Sequence, residues 1–256
     1  MLLAADIGNT NVHLGLYEGK DLVATGKFSG EQVADMDREW ARFEGDRKID
    51  ALEAAVVCSV NPKIKIPFSH WIGRRFGARP RVVGESLKLD IPLRVDDPAE
   101  VGADRIVNAY AAWREHGRGP IVVVDAGTAI TFDVVSERGE YLGGAIAPGF
   151  QTAARALSSL TALLPYVKVG PVEHAIGHNT VDALRGGLYF GLLGLVDALC
   201  EQVAKELGAA PIWIATGGDG ELIAGRSRFL KTARPNLTLE GLRLGWEAAK
   251  AAGSAP

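Results

Sequence analysis

The stretch Leu2-Leu3-Ala4-Ala5-Asp6-Ile7-Gly8-Asn9-Thr10 has a counterpart in the middle of the chain, Ile121-Val122-Val123-Val124-Asp125-Ala126-Gly127-Thr128. Each copy is a short apolar run that ends in Asp-x-Gly with a Thr close behind, and a second strand-like run follows it. A buried strand that ends in a carboxylate and turns on glycine suits phosphate binding, because glycine lets backbone N–H groups approach a phosphate closely. A single copy also fits an ordinary hairpin, since strand-to-turn junctions favour Asp and Gly. Two copies in matching context favour the phosphate-binding interpretation.

The duplication predicts two similar halves that face each other across a nucleotide cleft, as in the actin-like ATP-using proteins. Strands alternate with helices, so we expect an α/β fold of duplicated actin-like (ribonuclease H-like) domains with largely parallel sheets. The expected domains are residues 1–117 and 118–256. Thr216-Gly217-Gly218 follows a predicted strand and is interpreted as an adenosine loop, although alone it fits an ordinary loop. The tail from Gly253 to Pro256 is expected to be frayed.

Composition excludes several classes of protein. The chain has 256 residues, a net charge of −3, 47% apolar and 23% charged residues, which suits one large or two small globular domains. Acidic and basic residues are interspersed without a basic stripe, so a nucleic-acid partner is not expected. No apolar stretch is expected to reach the length of a membrane span, and the N-terminus lacks a signal-peptide pattern. Cys58 and Cys200 lie far apart and are interpreted as buried thiols in a reducing compartment, the cytoplasm.

Other catalytic chemistries lack their sequence motifs. The chain has no G-x-x-x-x-G-K-[ST] phosphate loop and no G-x-S-x-G nucleophile turn. The five histidines show no metal-ligand spacing. The duplicated motif therefore indicates phosphoryl transfer. In this reaction a protein contributes mainly positioning of the reactants and stabilisation of charge.

Three side chains carry that chemistry. Asp6 is expected to hold the Mg²⁺ of Mg-ATP through water, since Mg²⁺ keeps several waters and takes few carboxylates, and the backbone of residues 8–11 is expected to wrap the phosphates. Asp104 is the candidate general base: it follows a glycine turn and opens a predicted helix whose dipole keeps a carboxylate ionised. Its alternative is an ordinary first-turn helix carboxylate. Arg105 is a candidate for a forked contact with a substrate carboxylate, and its alternative is a surface ion pair.

Seven segments together resemble the type III pantothenate kinase family, in matching order and spacing over residues 2 to about 245. They are Asp6-Ile7-Gly8-Asn9-Thr10-Asn11, Gly102-Ala103-Asp104-Arg105, Asp125-Ala126-Gly127-Thr128-Ala129, Gly143-Gly144-Ala145-Ile146-Ala147-Pro148-Gly149, Leu164-Pro165, Gly177-His178-Asn179-Thr180 and Thr216-Gly217-Gly218. The resemblance implies an actin-like fold, a homodimer, and ATP-dependent phosphorylation of pantothenate at its terminal hydroxyl, the first step of coenzyme A synthesis.

The resemblance also implies roles for individual positions. Asp125 would contribute to a monovalent-cation site for K⁺ or NH4⁺, and its alternative is a second Mg²⁺ anchor. Thr180 would contact substrate, and its alternative is a simple helix N-cap. Val95 stands where the family often has an aromatic residue of the pantothenate pocket, which puts details of substrate fit in question. The expected ATP-binding set is Asp6, Ile7, Gly8, Asn9, Thr10, Asn11, Val12, His13 and Thr128, and the expected substrate-binding set is Gly102, Ala103, Asp104, Arg105 and Thr180.

Two other functions remain open at this point. Another actin-fold small-molecule kinase or a phosphatase would share the duplicated motif and differ only in the acceptor pocket. A nucleotide-binding accessory or regulatory protein would have lost Asp6 or Asp104, and this chain keeps both. The long apolar pattern from Thr180 to Leu207 predicts a core helix that also contributes to a subunit interface.

Overall fold

The computed structural model describes residues 1–253; the remaining residues of the predicted frayed tail, 254–256, lie outside the described residues. Nine strands alternate with seven α-helices along this part of the chain. The strands are β1 Leu2–Ile7, β2 Asn11–Glu18, β3 Asp21–Ser29, β4 Ala54–Ser59, β5 Arg81–Val82, β6 Ile121–Ala126, β7 Ala129–Val135, β8 Tyr141–Pro148 and β9 Ile212–Thr216. The helices are α1 Met36–Glu44, α2 Pro62–Phe76, α3 Ala103–His116, α4 Phe150–Leu160, α5 Thr180–Leu207, α6 Gly220–Ile223 and α7 Leu237–Ala251.

The described chain forms two compact units. Unit 1 contains Met1–Pro92, Asp96–Glu115 and the chain from Leu237 onwards, and unit 2 contains Leu93–Val95 and His116–Asn236. The division predicted from the sequence, residues 1–117 and 118–256, differs from these units at 93–95 and over the C-terminal helix α7.

Each unit is built on a sheet with the same internal order. In unit 1 the order is β3-β2-β1-β4-β5, and in unit 2 it is β8-β7-β6-β9. The motif strands β1 and β6 both pair antiparallel with the following strand and parallel with a later one. The predicted duplication is therefore present in the fold, whereas the prediction of largely parallel sheets was wrong. The sheets are mixed because each Asp-x-Gly turn is short enough to form a hairpin.

Two clusters of apolar side chains cover the two faces of the unit 1 sheet. One contains Leu3, Ala5 and Ile7 of β1 and packs against α1 and α2. The other contains Leu2 and Ala4 together with residues of α3 and α7. Side chains alternate between faces along a strand, so Asp6 continues the series of Leu2 and Ala4 and lies on the face of α3 and α7.

The start of helix α2 follows from its local sequence. The helix begins at Pro62, directly after the end of β4, and the Asn61 side chain accepts a hydrogen bond from the backbone N–H of Lys63 at 3.1 Å. Asn at the N-cap followed by Pro at the first helical position is a favoured helix start.

The helix α5 runs over 28 residues, and only one stripe of it faces the core. Its buried residues recur at three- and four-residue steps and are Gly186, Tyr189, Leu192, Val196 and Cys200. By length and composition α5 could cross a membrane, with a mean hydropathy of 1.4 in its most apolar 18-residue window, so the expectation that no stretch reaches that length was wrong. Core helices of globular proteins meet the same criterion.

Candidate active site

The carboxylates of Asp6 and Asp104 lie near each other in unit 1. Asp6 stands one residue before the end of β1, and Asp104 is in the first turn of α3. The charge of Asp104 is the second-largest cause, after burial, of a raised pKa at Asp6, from 3.8 to about 6. A buried carboxylate with this pKa is one that a bound cation would return to its ionised form. The Asp6 position therefore fits a Mg²⁺ held in part by phosphates.

Asp6 has a hydrogen-bond donor that the sequence interpretation missed. The thiol of Cys58, directly opposite Asp6 on the parallel neighbour β4, donates to Asp6 Oδ1 at 3.3 Å. Cys58 is fully buried, and its own pKa is raised well above 9.0 by burial and by Asp6. The thiol is therefore protonated, and it serves as a donor rather than as a nucleophile.

The start of α3 fixes the Asp104 carboxylate. Its Oδ1 accepts a hydrogen bond from the backbone N–H of Arg105 at 2.8 Å. A Cβ added at Gly102 would lie 2.6 Å from the same oxygen, so a side chain there would displace the carboxylate. Burial is the largest influence on Asp104 and raises its pKa, while the Arg105 backbone hydrogen bond and charge oppose the rise. Burial therefore opposes the effect of the helix start, and the ionised state of this carboxylate stays a prediction. A raised pKa also makes Asp104 a stronger base than an exposed Asp.

The turn after β1 is closed by its own backbone. The N–H of Gly8 donates to the carbonyl oxygen of Asn11 at 3.0 Å, and the carbonyl of Thr10 accepts from Gly30 at 2.7 Å. Gly8 thus shapes the turn with its N–H already engaged. Ile7 and Val12 are fully buried in the core, so any contact they make with a nucleotide comes from their backbone. Asn9 is exposed, and its carbonyl accepts from the Asn61 side chain at 3.2 Å.

The second motif, in unit 2, has a similar turn that is one residue shorter. The N–H of Gly127 donates to the carbonyl of Ala129 at 2.9 Å, and the exposed Thr128 lies at the tip of this turn. The Thr128 carbonyl accepts from Gly149 at 3.1 Å and from the Thr152 hydroxyl at 2.6 Å. These bonds tie the turn to the start of α4.

Asp125 lies beside the glycine turn that follows β9. The backbone of Gly217 has φ +87°, and a Cβ there would lie 2.3 Å from Asp125 Oδ1 and 2.4 Å from the Ala126 carbonyl oxygen. Only glycine suits this position. The Asp125 carboxylate and the Ala126 carbonyl both lie at this turn, and both are oxygen ligands of the kind that hard cations bind. The residues therefore fit a cation at Asp125, although residues 1–253 contain no group of three or more His, Cys, Asp or Glu arranged for a metal.

Thr180 is not the N-cap of α5. The Asn179 side chain caps the helix by accepting from the backbone N–H of Asp182 at 2.9 Å, and Thr180 is the first helical residue, with an exposed side chain. This excludes the simple-cap alternative for Thr180 and leaves its substrate contact as a prediction. Val95 lies against β8 in unit 2, its Cγ1 3.5 Å from the Cβ that a side chain at Gly143 would have.

Comparisons with known proteins identify the family of this chain. The type III pantothenate kinase family model matches residues 2–202. The chain belongs to the type III pantothenate kinase family. A type III pantothenate kinase from Dehalococcoides mccartyi strain CBDB1 is 44% identical over 248 residues, which is 94% of each chain.

Solved structures show that this pantothenate kinase family member has the actin-like kinase fold. A ROK family glucokinase from Streptomyces griseus, in complex with glucose and AMPPNP, matches with a TM-score of 0.53 and 15% identity over 98% of this chain and 99% of that chain. The activator of the 2-hydroxyisocaproyl-CoA dehydratase from Clostridium difficile, with bound ADPNP, matches with a TM-score of 0.55 and 12% identity over 100% of this chain and 97% of that one. The predicted α/β duplicated actin-like fold is thereby confirmed.

Proposed function

We propose that this protein transfers the terminal phosphoryl group of ATP to the terminal hydroxyl of pantothenate, the first step of coenzyme A biosynthesis, in the cytoplasm. The observation that carries the proposal is the pair of carboxylates Asp6 and Asp104 in a chain of the type III pantothenate kinase family. Of the alternatives, an accessory protein without turnover is disfavoured because both carboxylates are kept. Another actin-fold kinase or a phosphatase would differ from a pantothenate kinase in the molecule that accepts the phosphoryl group.

The two carboxylates have different roles in this mechanism. Asp104 accepts the proton of the substrate hydroxyl as that oxygen attacks phosphorus, and its raised pKa suits that task. Asp6 would hold Mg²⁺ through water, and the ion would neutralise charge on the phosphates. Gly102 and Ala103 bind the substrate next to Asp104. Arg105 and Thr180 contact the polar groups of the substrate. Residues 6–13 and Thr128 bind ATP.

An assay of the acceptor tests the proposal directly. The purified protein is incubated with Mg-ATP, K⁺ and a panel of small hydroxy acids, and ADP release and product mass are followed together. Phosphopantothenate as the single new product supports the proposal. Turnover of a different acid with pantothenate untouched would identify another actin-fold kinase, and phosphate release without a phosphorylated acceptor would identify a phosphatase.

A monovalent cation at Asp125 gives the first prediction. Activity should rise steeply when K⁺ or NH4⁺ replaces Na⁺ at constant ionic strength, because such a cation offsets phosphate charge without entering the octahedral Mg²⁺ site. Asp125→Ala should remove this response, measured as initial rate against salt identity. Equal wild-type rates in the three salts would refute the cation site. A variant that keeps the K⁺ response and loses Mg²⁺ affinity would instead make Asp125 a second Mg²⁺ anchor.

The exposed face of α5 gives a second prediction, on assembly. Opposite the buried stripe lie small residues at steps of three and four, and we call them the small-residue stripe: Ala183, Gly187, Gly191, Gly194 and Ala198. A Cβ at each of the three glycines would meet nothing within 4 Å. Phe190, which is 39% exposed, flanks them. We propose that this stripe lets α5 approach α5 of a second copy closely in a symmetric homodimer.

The double variant Gly191→Leu and Gly194→Leu separates folding from assembly. Each change adds helix propensity, about 0.8–1.0 kcal/mol for glycine relative to the best helix formers, and enters open space, so the monomer should fold. The bulk should block close helix approach and yield a monomer in light scattering at micromolar concentration. Glu206→Leu, an exposed change on α5 away from the stripe, is the control and should stay dimeric. A charged residue at Leu192, such as Leu192→Glu, would not test the dimer, because Leu192 belongs to the core and the change would disturb folding. A double variant that remains a dimer would place the interface elsewhere.

A further inference from the structure

A row of four side chains crosses the unit 1 sheet at the level of Asp6. Asp6 is directly opposite Cys58 on β4 and His13 on β2, and His13 is directly opposite Lys27 on β3. Directly paired residues project from the same face of a sheet. Cys58, Asp6, His13 and Lys27 therefore form one line of side chains, the Asp6 row, on the face that also carries α3.

Burial decreases along the Asp6 row from Cys58 to Lys27. Cys58 is fully buried, Asp6 and His13 are partly buried, and Lys27 on the edge strand is exposed. Burial lowers the pKa of His13, and the charge of Lys27 lowers it further. The same charge acts against the rise in the pKa of Asp6. The Lys27 ammonium is thus electrically close to the carboxylate that opens the phosphate turn.

Lys27 keeps its donors available. Within residues 1–253 its side chain forms no hydrogen bond and no ion pair, and its charge acts on Asp6. Two strand spacings put the Cα atoms of Lys27 and Asp6 about 10 Å apart, and the four-carbon stem of lysine covers much of that separation. An ammonium with three donors beside a phosphate turn is the arrangement by which lysine binds phosphate as a point charge.

The equivalent row in unit 2 lacks this charge. There Asp125 is opposite Thr131 on β7, and Thr131 is opposite Ile146 on β8, which is 66% exposed. The two motifs are therefore unequal: at matching register one carries an exposed ammonium and the other an exposed aliphatic side chain. The additional positive charge, that of Lys27, therefore lies in the unit that contains Asp6 and Asp104.

We propose that Lys27 is a further catalytic residue, whose ammonium binds the terminal phosphoryl group of ATP during transfer. The inference rests on the proposed function, since it takes the turn after β1 as the phosphate-binding element. In the reaction the substrate oxygen forms a bond to the terminal phosphorus, the bond from phosphorus to the bridging oxygen breaks, and its electron pair leaves with ADP. The hydroxyl proton goes to Asp104, and Lys27 stays protonated and stabilises charge on the transferring oxygens.

The test compares Lys27→Met, which removes the charge, with Lys27→Arg, which keeps it. Lys27→Met should lower kcat by on the order of 10²-fold, the usual effect of losing one charge-stabilising donor, and should weaken a non-hydrolysable ATP analogue with Mg²⁺ at least tenfold more than it weakens ADP. Lys27→Arg should recover most of both. Lys20→Met, a change of an exposed lysine in the turn between β2 and β3, is the matched control and should behave as wild type.

The binding measurements need no pantothenate, so they separate this inference from the acceptor assignment. If the wild type binds both nucleotides but phosphorylates another acid, the acceptor assignment fails, and the analogue-to-ADP ratio still decides the role of Lys27. Equal weakening of analogue and ADP in Lys27→Met, or no weakening of either, would overturn the inference. A wild type that binds neither nucleotide would overturn both proposals.

Discussion

Asp104→Asn should retain the fold and nucleotide binding and lose about 10²–10⁴ in kcat, the usual contribution of a general base. The amide keeps the shape and the hydrogen bond from the Arg105 N–H, but it cannot take the proton of the attacking hydroxyl. The measurement is steady-state kinetics with circular dichroism and ADP titration on the same samples. Glu100→Gln neutralises an exposed carboxylate four residues earlier and is the matched control.

The pH profile gives an independent reading of Asp104. Because burial raises its pKa, activity should fall as the pH drops through a value above the ordinary Asp range near 3.9. This acid limb should be absent from the residual activity of Asp104→Asn. Near-normal kcat in the variant would exclude Asp104 as the base, whatever the profile of the wild type.

Asp6→Asn should make the nucleotide-free protein more stable while abolishing productive Mg-ATP binding. The fold raises the pKa of Asp6 from 3.8 to about 6, so the native state binds this proton more tightly than the unfolded chain does. Stability therefore falls as the pH rises from about 4 to about 6, and the full penalty is present above that window. This rise in the pKa of Asp6 corresponds to about 3 kcal/mol, and because Asp6 retains some exposure we expect a difference of about 1–3 kcal/mol in the free energy of unfolding.

The measurement is denaturant unfolding in EDTA at a series of pH values. Asp6→Asn should exceed the wild type in free energy of unfolding at pH 8, and the difference should shrink as the pH falls below about 6, because the wild-type carboxyl then takes up its proton. Asp96→Asn changes an exposed carboxyl and should leave stability unchanged at every pH. An Asp6→Asn protein that is less stable at pH 8 would show that the carboxylate stabilises the fold without a cation.

The duplicated motif made much of the fold predictable. Strands β1, β2, β6 and β7 follow from it, because an apolar run ending in Asp-x-Gly has few other structures open to it. Strand β8 was not assigned from the sequence, since its glycines at 143 and 144 weaken strand propensity. Its strand conformation is stabilised by pairing with β7. Helix α7 was also not assigned, and its membership of unit 1 depends on long-range packing.

The residue types of the candidate site could be predicted from the sequence, but the side chains that surround them could not. Asp6 and Asp104 could be chosen from local pattern, but the rise in both pKa values comes from burial that no local pattern contains. The Cys58 contact and the position of Lys27 depend on strand register. Register is fixed by pairing across 52 residues for Asp6 and Cys58, so counting along the sequence could not have placed them together.

Unit 1 is discontinuous in the chain, and this affects how the protein is made. Leu239, Leu242 and Trp246 of α7 complete the apolar cluster under β1 and α3, and the Thr238 hydroxyl donates to Asn108 Oδ1 at 2.8 Å. A ribosome makes these residues after the whole of unit 2, whereas it makes β1 before unit 2. The nascent chain can therefore complete unit 2 before unit 1, although unit 1 starts earlier. The sheet face that carries Asp6 then stays open until α7 is made, so the carboxylates of Asp6 and Asp104 acquire their buried environment only after unit 2 has been synthesised.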